Sequence, residues 1–207
     1  MPTATPTPRR TQLERTATTR RALLDATVDA VVAVGYAGAT TTEVCKRAGV
    51  SQGALFRHFP SKGALLAAAV EDLFPRLLDD VAAGAGALPE GPERVAAVID
   101  LLWAAYERPD LQAAVELYVA ARTDEDLARA LRAVEEPHRR RLHALAAALL
   151  PSHAGLDGFP AVVDVVVDAA QGAAMGRLLV VPAEVAATTR TAMRDALAGL
   201  IDGMGSA

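Results

Sequence analysis

The chain has 207 residues, of which 52% are hydrophobic, 22% charged and 4% aromatic, and its formal net charge is −4. That composition excludes a disordered chain, and a single cysteine excludes an intramolecular disulfide framework. No run of about 18 residues lacks Asp, Glu, Lys and Arg, and the N-terminus lacks the apolar stretch of a secretory signal, so the chain reads as cytoplasmic with no membrane partner. The charge is unevenly spread. Residues 1–62 hold nine Lys/Arg and four acids, a balance of +5, and the remainder carries −9. A basic head on an acidic body suits a chain that meets a polyanion, and the same clustering also arises on an ordinary solvated surface.

Residues 1–8 (MPTATPTP) are Pro/Thr-rich without periodicity, and 1–11 is expected to be a disordered tail. From Gln12 the pattern is helical, with Leu13, Ala17, Leu23, Leu24, Thr27, Val28, Val31, Val32 and Val34 on one broad face and Gly35 as the stop. Thr40-x-x-Glu43 is a capping box that starts a short second helix, ended at Gly49. Ser51 caps a third helix from Gln52 to Phe59. Pro60 interrupts, and Ser61 caps a fourth helix from Lys62 in which Pro75 predicts a kink. A loop over 84–91 follows. Further helices are predicted over 92–107, 110–121, 125–150, 160–180 and 183–202, with Thr123-x-x-Asp126 as another N-terminal cap. The β-branched run Val162 to Val167 would also suit a strand. Asp164 and Asp168 lie four apart and the apolar pattern continues through Ala169, Ala170, Ala173 and Leu178, which favours helix. The fold class is therefore all-α.

A helix over 40–48, a turn at 49–51 and a helix over 52–59 have the spacing of a helix-turn-helix. The turn needs a residue tolerant of positive φ, which Gly49 supplies. The second helix needs a polar start that can enter the major groove, and Ser51-Gln52-Gly53 provides it. Gly53 lets backbone approach closely, and the Gln52 carboxamide can bond an adenine edge through two atoms. The segment TTTEVCKRAGVSQGALFRHFPSK over 40–62 resembles the DNA-binding signature of TetR-type transcriptional regulators, and the resemblance covers roughly 12–70.

The resemblance implies an N-terminal three-helix head, 12–61, and a helical ligand-binding and dimerisation body, 62–207. It implies that Thr40 caps the second helix near phosphate and that Thr42 reads bases. Ser51, Gln52 and Gly53 would be recognition-helix contacts, and His58 and Lys62 phosphate-side contacts. Phe56 stands where such proteins usually have Tyr, so one phosphate-reaching hydroxyl is missing from this candidate DNA contact. Arg57 either touches DNA or is a solvated charge. Arg9, Arg10, Arg15, Arg20 and Arg21 either track phosphate or serve solubility. Gly49-Val-Ser51-Gln-Gly53 also matches a nucleophile elbow, but that motif needs a preceding strand and here a capped helix precedes it, so no enzyme is expected. Cys45 is either a small core residue or a thiol activated by Lys46 and Arg47.

In the body, Ala169, Gly172, Ala173 and Gly176 allow close helix approach, and the resemblance assigns homodimerisation to about 160–203. Phe74, Leu78, Trp103, Tyr106, Leu117, Tyr118, His143, Asp168, Gln171 and Met175 are the candidate pocket residues, each with core packing as its competing role. Asp168 would face a ligand, pair across a dimer, or be solvated. His138 and His143 are five apart, off one helix face, so no metal site is expected and no cofactor is implied. The Arg139-Arg140-Arg141 run beside Glu135-Glu136 reads as a solvated, locally paired helix surface. The expected function is a homodimeric DNA-binding transcriptional regulator, a repressor released from its double-stranded operator by a small-molecule effector. The alternative is a DNA-binding dimer controlled by a protein partner or without any ligand.

Overall fold

The computed structural model describes residues 12–177 and 183–204, so the tail 1–11, with Arg9 and Arg10, lies outside the described residues, as does Leu178. Among the described residues there are nine α-helices and no strand: α1 (Gln12–Gly38), α2 (Thr41–Ala48), α3 (Gln52–His58), α4 (Lys62–Ala83), α5 (Arg94–Tyr106), α6 (Pro109–Ala120), α7 (Glu125–Leu149), α8 (Phe159–Arg177) and α9 (Ala183–Gly203). A 3₁₀ turn over Gly84–Ala87 opens the predicted loop. Val162 to Val167 is helical, inside α8.

Local chemistry explains most boundaries, and three differ from expectation. Gly35 does interrupt α1, at φ 70 and ψ 174, but helical turns resume to Gly38. The break frees the Tyr36 amide, which donates to Glu116 Oε1 of α6 at 2.6 Å. At α7 the cap is Asp124, whose carboxylate accepts from the Leu127 amide at 2.9 Å, and Thr123 is only its neighbour. Asp is a cap as good as Thr, and the carboxylate adds a favourable charge at the positive helix end. The Thr40 hydroxyl accepts from the Glu43 amide at 3.2 Å, but only this half of the capping box forms. The Glu43 carboxylate instead pairs with Arg47 at 2.7 Å, and the Thr40 amide donates to the Gly38 carbonyl. α4 continues as one helix through Pro75, and α7 likewise contains Pro137.

Two apolar clusters fill the interior. The larger runs from Leu23, Ala30, Val44 and Leu55 of the first three helices, and Phe59 just after them, through Leu65, Leu66 and Leu73 of α4 into Leu111, Leu117, Leu127 and Leu131. The smaller joins Val95, Ile99 and Trp103 to Leu150, Phe159, Val163, Val166 and Ile201. Ion pairs staple the helices at the surface. Arg21 and Arg76 share Asp25 and Asp72 between α1 and α4. Arg190 and Arg194 of α9 reach Asp100 of α5 and Glu107 at its C-terminal end. Within α8, Phe159–Gly176 has the length and mean hydropathy, 1.2, of a membrane span. It nevertheless contains Asp164 and Asp168, and Val163, Val166, Ala170 and Ala174 are buried against other helices.

Candidate nucleic-acid interface and body cavity

α2 and α3 meet across Gly49, which holds φ 67 and returns its amide to the Cys45 carbonyl. An L side chain at that angle is strained, so the turn is a glycine position for a backbone reason. Ser51 then caps α3, accepting from the Ala54 amide at 3.2 Å. Thr42, Ser51, Gln52, Gly53, Phe56 and Arg57 are all exposed, and so is Thr40 at the start of α2. Gln52 Nε2 donates to the Thr42 hydroxyl at 2.6 Å, which joins the two helices' base-reading candidates into one polar patch. Residues 44–70 contain no acid, whereas Lys46, Arg47, Arg57 and Lys62 lie among them. The face is therefore cationic and carries hydrogen-bonding tips, as a duplex requires. Arg57 has no ion-pair partner among the described residues. Phe56 leaves 49% of its surface exposed, so this phenyl ring is part of the outer face and not of the core.

Two candidates sit more deeply. The His58 ring is half-buried and tilted against Phe59, with centroids 6.2 Å apart, and the Arg20 guanidinium lies 4.9 Å from the Phe59 ring centre. Lys62 Nζ donates to the Tyr36 carbonyl at 2.9 Å and stands 4.1 Å above the Tyr36 ring. Burial lowers the Lys62 pKa, with Asp124 opposing the shift. The half-buried ammonium is thus engaged by the end of α1, under the head. Cys45 is buried, and burial pushes its thiol pKa up, which opposes the activated-thiol reading.

The junction under the head is one that sequence reasoning missed. The Tyr36 hydroxyl donates to Asp124, which raises the Tyr36 pKa to about 12. The Ser61 hydroxyl donates to Asp126 Oδ2 at 2.7 Å. Gly63 is buried against the same turn, and a Cβ there would collide with Asp126 and approach the Leu127 amide to 3.0 Å. The first turn of α7 therefore holds the end of α1 and the start of α4.

Further along α7, a cavity of about 470 Å³ opens between α4, α5, α6, α7 and α8. Of the sequence candidates, Phe74, Tyr106, Tyr118, Asp168 and Gln171 line it; Glu135, His138, Arg139, Leu142 and Asp164 join them. The other five lie elsewhere. Trp103 is 2% exposed in the second core cluster and, with Gly172, Ala173 and Gly176, lines a different groove, between α5, α8 and α9. Leu117 packs between α1, α4 and α6. Leu78 lines a separate narrow apolar cleft. Met175 is exposed beside Val32 and Val119. His143 bonds Asp164 through Nε2 at 2.8 Å without lining the cavity. The lining residues of α7 and α8 fall on helical stripes, Glu135/His138/Leu142 and Asp164/Asp168/Gln171, a pattern visible in sequence once paired.

The cavity's chemistry is mixed. Tyr118 donates to Glu135 Oε2 at 2.8 Å, and burial with this bond raises the Tyr118 pKa. Phe74 is sandwiched near His138, 3.8 Å between centroids, and Tyr118, at 6.4 Å. His138 Nδ1 is buried with no hydrogen-bond partner among the described residues, and burial lowers the ring's pKa. Arg139, read as purely surface, does pair with Glu135 at 4.0 Å but also with Asp164 at 3.7 Å, at the cavity rim.

Known proteins match both halves. The family profile for bacterial regulatory proteins of the tetR family matches residues 23–69. The HTH-type transcriptional regulator Rv2912c of Mycobacterium tuberculosis is 34% identical over 169 residues, covering 81% of this chain and 87% of that one. Escherichia coli BetI, another HTH-type transcriptional regulator, is 40% identical over 83 residues, covering 39% of this chain and 43% of BetI. Among solved structures, the multidrug binding protein EbrR, complexed with imidazole, aligns with a TM-score of 0.61 at 26% identity, over 84% of this chain and 93% of that one. The transcriptional regulator SCO7518 from Streptomyces coelicolor A3(2) shares the fold, with a TM-score of 0.63 at 22% identity over 88% and 97% of the two chains. The fold and the exposed recognition segment thus define a helix-turn-helix DNA-binding transcriptional regulator. The chain belongs to the tetR family of bacterial regulatory proteins.

Proposed function

We propose that this regulator is a repressor, cytoplasmic and homodimeric through α8 and α9, that leaves a double-stranded operator when a small-molecule effector enters the body cavity. The division into tail 1–11, head 12–61 and body 62–207 is part of the proposal. In it Thr42, Gln52 and Gly53 read base edges. Thr40, Ser51, Phe56, Arg57 and His58 pack along the backbone, and Lys62 positions the head from below. No catalytic step is required.

The observation that carries the effector reading is the double use of α7. Its middle lines the cavity through Glu135, His138, Arg139 and Leu142, and its first turn holds the head through Asp124 and Asp126. A ligand that prefers one placement of α7 biases the placement of the head by that same differential affinity. A lever motion of α4 about Pro75 would serve the same end, since α4 supplies Phe74 to the cavity and Lys62 to the junction. A body packed solid would favour the ligand-free alternative, and a 470 Å³ cavity favours the effector.

The test is fluorescence anisotropy of the protein on duplex DNA flanking its own coding region, repeated with each compound that raises its melting temperature. Release of the duplex by such a compound is expected. Operator affinity unchanged by every stabilising compound would overturn the effector reading.

A further inference from the structure

We propose that the body cavity takes an organic cation, a molecule with a flat apolar body and one positively charged nitrogen. The inference rests on the effector reading and names the chemistry of that site.

Charge comes first. Three carboxylates, Glu135, Asp164 and Asp168, line the cavity against one guanidinium, Arg139, whose side chain is half exposed at the rim. Burial lowers the pKa of His138, so the ring adds no compensating charge at neutral pH. An anion entering the cavity meets net negative charge in a partly dry site, where such repulsion is poorly screened. A cation meets the opposite field.

The unspent groups sharpen the choice. Glu135 is occupied by the Tyr118 hydroxyl and Asp164 by the His143 ring. Asp168 has neither hydrogen bond nor ion pair among the described residues. Tyr106 is only 8% exposed, lines the same cavity, and its hydroxyl also has no partner among the described residues. The Tyr106 oxygen is not itself among the buried unpaired atoms, so it is open to a ligand in the cavity. Asp168 is near enough to help raise the Tyr106 pKa, after burial, the main cause. A free carboxylate, a free phenol oxygen and the Gln171 carboxamide together offer acceptors to the several N–H groups of one ammonium. Phe74, Tyr118 and the His138 ring line the same cavity and give it aromatic surface, which holds an apolar body and attracts a cation through its π-faces.

The test uses the full chain without DNA and three ligands with one shared body: 2-naphthylmethylamine, 2-naphthylmethanol and 2-naphthoate. Binding is read by calorimetry at neutral pH. The amine is expected to bind about tenfold or more tighter than the alcohol, and the carboxylate most weakly. Asp168→Asn should bring the amine down toward the alcohol, with a much smaller change for the alcohol, which loses a neutral hydrogen bond and no charge pair. Gln171→Glu should widen the amine's advantage, which gives a second reading if the first variant fails to fold. Three results would each overturn the proposal: naphthoate equal to or tighter than the amine, an amine preference intact in Asp168→Asn, or no binding by any of the three at millimolar concentration. Because DNA is absent, the result is separate from the regulatory reading. An amine held through Asp168 upholds the ligand class even where operator affinity does not respond, and that silence would count against effector release alone.

Discussion

Lys62 and Arg57 are both cations of the DNA-facing half, yet they differ in what they touch. Arg57 is exposed without an ion-pair partner among the described residues, whereas the Lys62 ammonium is bonded to the Tyr36 carbonyl. Arg57→Ala should therefore weaken all duplexes alike and lower the salt slope of binding by about one, with the melting temperature unmoved. Lys62→Met should lower the melting temperature and DNA affinity together, because it leaves a carbonyl under the head unpaired. Equal melting temperatures for the two variants would refute this division. Gln52→Ala should instead relax sequence preference by about 1–3 kcal/mol at one base pair, read from a set of mutated operators. His138 supplies a pH prediction. Its folded pKa lies below the ordinary 6.5 because burial disfavours the charged ring. As pH falls through that value the unfolded chain takes the proton first, so stability is full above it and is lost toward the lower folded pKa. Glu135, which opposes the shift, and Arg141, which adds to it, are the charged neighbours. Melting temperature should fall more steeply between neutral pH and about pH 5 in the native protein than in His138→Phe, which keeps a ring against Phe74.

Helix ends were the most readable elements. Thr40, Ser51 and Ser61 each accept from an amide three residues on, as their hydroxyls and positions imply. The α7 cap was misplaced by one residue because Thr123 and Asp124 are both competent, and only the chain's approach selects between them. Pro75 and Pro137 ended no helix. Each removes one amide, and neighbouring helices hold the surrounding turns in place. Where α4 begins, space is decisive. Gly63→Ala should cost about 1–3 kcal/mol in urea unfolding, through overpacking against Asp126 and the Leu127 amide. A cost near zero would mean that the α4–α7 junction yields easily. The stripe of α7 facing the cavity was not read as a site. Its Glu, His and Arg residues look like any solvated helix face until α8 lies opposite.

At the scale of the molecule, the exposed apolar residues matter most. Val165 and Met175 on α8, and Val185 and Leu200 on α9, are each 40% exposed or more. Exposed apolar side chains on two neighbouring helices suit an interface, and a second copy joined through α8 and α9 is the proposed cover. The native chain should run as a dimer in light scattering. Val185→Asp with Leu200→Asp should give a monomer whose operator affinity falls toward that of one half-site. A dimer persisting in that variant would move the interface elsewhere. By itself, the sequence determined the all-helical class, the helix-turn-helix spacing and the basic head over 1–62, because caps, turn glycines and charge are read within a short stretch of chain. Of the ten pocket candidates it named, five line the cavity. Tertiary structure decided the rest. Lys62 turned toward Tyr36, Trp103 joined the core at the edge of a different groove, and Glu135, His138 and Asp164 became walls of one cavity, because such roles depend on which face of a helix another helix covers. The net charge of −4 likewise resolved into two surfaces, a positive recognition face and a negative cavity, neither of which a summed charge records.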